Sequence, residues 1–93
     1  MPDENSPVPF ADILPVLRRE YELAVEKHPE FAWNHMRAVS IITEELGELA
    51  KELNDYYISP GAEDRAMIEA AHVAVTAIRT MQMLSKERKN ERI

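Results

Sequence analysis

The chain has 93 residues, 45% of them hydrophobic and 30% charged, with no cysteine and a formal net charge of −6. That length allows one domain with a modest core, and the composition is too apolar for disorder. The missing cysteines exclude disulfides, thiolate metal sites and a cysteine nucleophile. The acidic balance argues against a nucleic-acid polymer as partner, because such binding draws on counterion release at basic side chains.

Two glycines among many Ala, Glu, Leu, Met and Arg favour an all-α chain. Residues 1–9 hold Pro2, Pro7 and Pro9, too closely spaced for a helix interior, and read as a loose arm. This segment has neither the basic region nor the apolar stretch of a signal peptide. No apolar run approaches the roughly 20 residues that span a bilayer, so the expectation is a cytoplasmic protein with no membrane partner.

A helical domain is expected over 10–85, built from three main helices. The first takes Asp12 as N-cap, with Pro15 in its first turn, where the missing N–H costs little. Its apolar positions are Val16, Leu17, Tyr21, Leu23, Ala24 and Val25, and it stops before Pro29. The second starts near Trp33 and Asn34, with Asn34 a candidate cap, and runs to about Tyr56. Val39, Ile42, Leu46, Leu49 and Leu53 recur there at the spacing of a core-facing stripe. The stretch NDYYISPG at 54–61 carries stop signals, and Tyr56 and Tyr57 are expected in a core or an interface. The third helix runs from about Ala62 to Ser85, and the charged tail 86–93 is expected to fray.

The third helix also predicts assembly. At about 100° per residue its apolar side chains cover roughly 220° of the circumference, wider than one neighbouring helix can cover. A second subunit is the expected partner for the surplus, giving a bundle completed as a homodimer or homotetramer.

Two clusters carry chemistry. Glu44, Glu45 and Glu48 fall within one turn on the flank of the second helix's stripe. Like charges this close raise one another's pKa unless a cation offsets them, and clustered carboxylates suit Mg²⁺ or Mn²⁺. Exposed acidic clusters are also common without any ion. On the third helix Glu69, His72, Thr76 and Arg79 form a narrow polar line on an otherwise apolar surface. Two readings stand for that line: the ordinary solvent face of a surface helix, or ligands turned toward the acidic cluster. Trp33 could stack on a nucleobase with Asn34 reading its edge, or be a half-buried packing residue. Arg79 could meet a phosphate or form a surface ion pair. The chain has no Gly-rich phosphate loop, HExxH or nucleophile elbow.

EELGE at 44–48, followed by ExxH at 69–72, resembles the EExxE and ExxD signature of the MazG-like all-α nucleotide pyrophosphohydrolases. VEKHPEF at 25–31, HMRAVSIITEELGELAKELND at 35–55 and EAAHVAVTAIRTM at 69–81 are similar to the short phage and bacterial branch of that superfamily. The resemblance covers roughly residues 20–84. It implies a dimeric helical bundle that hydrolyses a nucleoside triphosphate or modified nucleotide to the monophosphate and pyrophosphate. Carried over by position, Glu45, Glu48 and Glu69 would hold Mg²⁺ (or Mn²⁺), and Glu44 would ligate or position water. The resemblance also keeps Lys27 and His28 in play beside the substrate. His72 stands where the signature has Asp. An imidazole is a poor Mg²⁺ ligand and a good one for Mn²⁺, Co²⁺ or Zn²⁺. The site then uses another metal with His72 as ligand, holds fewer ions, or no longer turns over. The rival expectations are a non-catalytic helical oligomer, binding nucleotides or acting as a scaffold, with a degraded metal site, and a helix-groove adaptor.

Overall fold

The computed structural model describes residues 6–91. Its elements are α1 (Phe10–Lys27), α2 (His35–Asn54) and α3 (Ala62–Glu91), with no strand among the described residues. Residues 6–9 are not helical, and the rest of the expected arm lies outside the described residues. No described helix is long and apolar enough to cross a membrane.

α1 begins before the expected cap. Pro9 holds the N-cap position without a side-chain bond, and the Asp12 N–H donates to the Pro9 carbonyl at 3.0 Å. Asp12 therefore lies in the first turn, where its charge complements the positive helix end, and Pro15 falls inside the helix. The proline at 9, with its φ already fixed, sets the start in place of a capping side chain. At α2 the expected cap is present: Asn34 Oδ1 accepts from the Arg37 N–H at 2.8 Å.

α3 corrects the expected helix end near Ser85, since it runs six residues further to Glu91; the last two residues of the expected tail lie outside the described residues. Lys, Glu and Arg are good helix formers, and Arg88 and Lys89 in the last turn suit the negative helix end. The Glu87 carboxylate also lies 3.0 Å from His35 Nε2 at the start of α2.

The layout is a single open layer. α3 packs on both α1 and α2, which do not approach each other to within 8 Å between Cα atoms. The buried apolar residues are small: Ala38 on α2, and Ala62, Ala66, Ala71 and Val75 on α3. At the α2–α3 corner Gly61 takes φ 79°, which lets the chain turn directly into α3. Arg65 fastens this corner by donating to Glu52 Oε2 (2.9 Å), the Pro60 carbonyl (2.9 Å) and Ser59 Oγ (2.8 Å).

The stripe expected to pack α2 on the core is split. Ala38, Ile41, Ile42, Glu45, Leu49 and Glu52 are the buried or half-buried positions, whereas Val39, Leu46 and Leu53 are exposed. Three of the five stripe residues are thus left exposed, and α2 meets α3 with small side chains such as Ala38 buried. Leu23 on α1 is exposed as well, and so are Tyr56 and Tyr57, whose rings meet edge to face at 5.0 Å between centroids and which are not core.

Candidate metal centre

The inward face of α1 is formed by the half-buried residues Val16, Leu17, Glu20, Tyr21, Ala24 and Val25, with Glu20 in its middle. Opposite it runs the polar line of α3. Thr76 and Arg79 are buried there, and Glu69 and His72 are half-buried, so the solvent-face reading of that line is overturned. It is the surface on which α1 docks.

His72 is the centre of the arrangement. Its Nε2 lies 2.8 Å from Glu20 Oε1, and its Nδ1 lies 3.3 Å from Glu69 Oε2 and 3.6 Å from Glu45 Oε2. One donor atom each from Glu45, Glu69 and His72 falls within 4.8 Å of the other two. Carboxylates of α2 and α3 thus converge, and the three-membered group takes in His72. Glu48 is exposed and stands outside the trio, close enough to Glu69 and Glu45 to act on both charges. Glu44, also exposed, adds negative charge near Glu45.

The electrostatics are those of crowded anions around one base. Burial pushes the Glu45 carboxyl above its ordinary 4.5, and Glu48, Glu69 and Glu44 push it further against the pull of His72. Burial likewise raises Glu69, with Glu48 adding to it and His72 opposing. For His72, burial works against the charged form, yet the bond to Glu20 and the charges of Glu69 and Glu45 prevail and lift it above 6.5. Glu45 Oε2 is buried and has no hydrogen-bond partner. A buried acceptor left without a donor is what a cation would satisfy, so the residues present fit a divalent ion.

Glu45, His72 and Glu44 line a cavity of about 640 Å³, and so do Lys27, Trp33 and Arg79. Asn34 is not among its lining residues; its side-chain oxygen is committed to capping α2. Trp33 is 81% exposed, with the Arg37 guanidinium 5.4 Å from its ring centroid, so it is no half-buried packing residue. Arg79, at 8% exposure, is no surface ion pair either. It donates to the carbonyls of His28 (2.6 Å), Pro29 (3.3 Å) and Ala24 (3.4 Å), and it lies over the Phe31 ring at 5.4 Å. In that position it ties the end of α1 and the α1–α2 connector to α3.

No family model, curated protein or solved structure matches the chain.

Sequence reasoning missed Glu20 and Arg37. The signal for Glu20 was legible: it is a carboxylate at i+4 from Val16, i+3 from Leu17 and i−4 from Ala24, amid the apolar positions of its own helix. The signal for Arg37 was local too: it follows Trp33 by four residues across the start of α2, a spacing that brings the guanidinium over the ring.

Proposed function

We propose that this chain is a divalent-metal-dependent nucleotide pyrophosphohydrolase of the MazG-like type, converting a nucleoside triphosphate or modified nucleotide to the monophosphate and pyrophosphate. The observation that carries the reading is the approach of Glu45, Glu69 and His72 to within 4.8 Å of one another, with Glu45 and His72 opening on the cavity that Lys27 and Trp33 also line. Glu45, Glu69 and His72 would hold the ion, Mn²⁺ or Mg²⁺, with Glu48 reinforcing the negative charge. An ion held there would neutralise phosphate oxygens and lower the pKa of a water. In the reaction water adds to the α-phosphorus, the bond to the bridging oxygen breaks, and that oxygen leaves with pyrophosphate. Glu44 on the cavity wall orients the water and accepts its proton. Lys27 offsets charge on the departing phosphates, and Trp33, with Arg37 behind it, offers a face for the base.

The test is pyrophosphate release from a panel of nucleotides with Mn²⁺ and with Mg²⁺. Glu69→Gln and Glu45→Gln are expected to abolish release, and Glu48→Gln to weaken it, while the helical circular dichroism stays unchanged. Activity surviving both ligand changes excludes this site. The rival reading, a non-catalytic oligomer with a degraded site, is favoured by one observation: three carboxylates already surround His72, so a protonated imidazole could stand in for the ion. A melting temperature unmoved by either metal would select that rival, because a ligand that binds only the folded state must raise it.

A further inference from the structure

We propose that Glu20 is the positioning carboxylate of a histidine-bearing metal site, and that the pair selects a first-row transition ion over Mg²⁺. The proposal rests on the reading that Glu45, Glu69 and His72 hold a divalent ion. It adds a residue from α1, a helix that supplies none of the three ligands, and a metal preference.

The argument is one of hydrogen inventory. A carboxylate only accepts, and a neutral imidazole has one N–H to give. Of the three contacts His72 makes, the one to Glu20 Oε1 is shortest, at 2.8 Å against 3.3 and 3.6 Å, and the Glu20 side chain is the least exposed of the three acids, at 12%. The N–H therefore belongs at Nε2, pointing to α1. In the neutral ring that leaves the Nδ1 lone pair turned to Glu69 Oε2 and Glu45 Oε2, three acceptors that only a shared proton or a cation can reconcile. An ion resolves the arrangement. Ligands at about 2.1 Å from one ion lie about 3.0 Å apart at a right angle and about 3.4 Å apart at the tetrahedral angle, which brackets the 3.3 Å separation and falls just short of the 3.6 Å one, and the two carboxylate oxygens, within 4.8 Å of each other, would draw in on the ion. The unpartnered, buried Glu45 Oε2 is one of those donors.

An anion on the far nitrogen holds the ring in place and makes the near nitrogen a better ligand. Imidazole nitrogen gives little to Mg²⁺, which keeps to oxygen ligands, and more to ions toward the Co²⁺ and Zn²⁺ end of the series. α1 thereby becomes part of the metal site without touching the ion.

The experiment is a Co²⁺ titration of the full chain, read by visible absorption and by melting temperature, with Mg²⁺ in parallel. Wild type is expected to bind Co²⁺ at least ~10-fold more tightly than Mg²⁺. Glu20→Met keeps bulk between α1 and α3 but removes the acceptor. It should weaken Co²⁺ binding about 10- to 100-fold and alter the Co²⁺ spectrum, with Mg²⁺ affinity changed far less. Glu20→Gln still accepts from Nε2 through its amide oxygen, and should retain most of the Co²⁺ affinity, which separates positioning from simple loss of folding. Glu20→Met with wild-type Co²⁺ affinity and spectrum overturns the proposal, and so does a wild type that prefers Mg²⁺, or a His72→Ala variant with an unchanged Co²⁺ spectrum. A wild type that binds neither ion overturns this proposal and the metal centre together. Co²⁺ binding that is lost in Glu20→Met without any pyrophosphate release supports the proposal and overturns only the hydrolase reading.

Discussion

Glu45, Glu69 and His72 each bind a proton more tightly in the folded chain than free in solution, and this sets a direction for stability against pH. A carboxyl raised above 4.5 contributes stability below that value and loses it as pH climbs through the raised one. An imidazole raised above 6.5 does the same from 6.5 upward. The folded state holds more protons than the unfolded state, so these three groups make the metal-free protein less stable as pH rises from about 4.5 to beyond 6.5. Melting curves in chelator at pH 5 and pH 8 should show the drop, and Glu45→Gln should flatten it. Added Mn²⁺ should restore more stability at pH 8 than at pH 5, because its ligands must be deprotonated. A metal-free melting temperature that climbs across this window, and climbs no less in Glu45→Gln, would contradict the assignment. Among single residues the sequence exposed the site's acids on α2 and α3 but not Glu20 on α1, because spacing along one helix needs only the helical repeat. It could not decide between the solvent face and a docking face for His72 and Arg79. That choice depends on where α1 lies, and what α1 contributes there is a carboxylate and backbone carbonyls, which carry no apolar signature.

Among the elements, α2 was the most legible, since its cap is a side-chain bond from Asn34 that residue type announces. The ends of α1 and α3 were less so. The start of α1 depends on backbone geometry at Pro9, and the last turns of α3 on ordinary helix formers together with the His35–Glu87 contact across 52 residues. The two glycines separate helix interior from helix boundary in a measurable way. A Cβ at Gly47, inside α2, meets nothing within 4 Å, whereas at Gly61 it would lie 2.9 Å from Arg65 Nη1 on a backbone with φ +79°. Gly47→Ala should stabilise the chain by about 0.5–1 kcal/mol. Gly61→Ala should destabilise it by about 1–2 kcal/mol, through the strained φ and by displacing the Arg65 fastening. Denaturant midpoints measure both. A destabilising Gly47→Ala would mean that another surface packs closely on that face of α2.

At the scale of the molecule, the single chain is too open to stand alone comfortably. Its radius of gyration is 15.9 Å, against about 12 Å for a compact chain of this length. Its accessible surface is 7781 Å² for 10.7 kDa, against about 5500 Å² for a typical folded monomer of that mass. The excess is of the order that an obligate interface covers, and the exposed Val39, Leu46 and Leu53 on α2, with Met67 and Ile68 on α3, are apolar groups worth about 1.5–3 kcal/mol each when buried. Light scattering coupled to size exclusion should return a dimer or larger, and Leu46→Glu with Leu53→Glu should dissociate or unfold it. A monodisperse, fully folded monomer would refute this. The wide apolar arc of the third helix was readable from sequence, but how α1 and α2 divide that helix between them was not, because each packs on α3 without touching the other.

The layered arrangement gives α1 a particular status. It rests on α3 alone and contains no buried residue. Much of its hold is polar: Glu20 on His72, Tyr21 Oη accepting from Gln82 Nε2, and the carbonyls at its end gripped by Arg79. Such a strap can lift without disturbing the α2–α3 pair, so amide deuteration should reach α1 well before the other two helices.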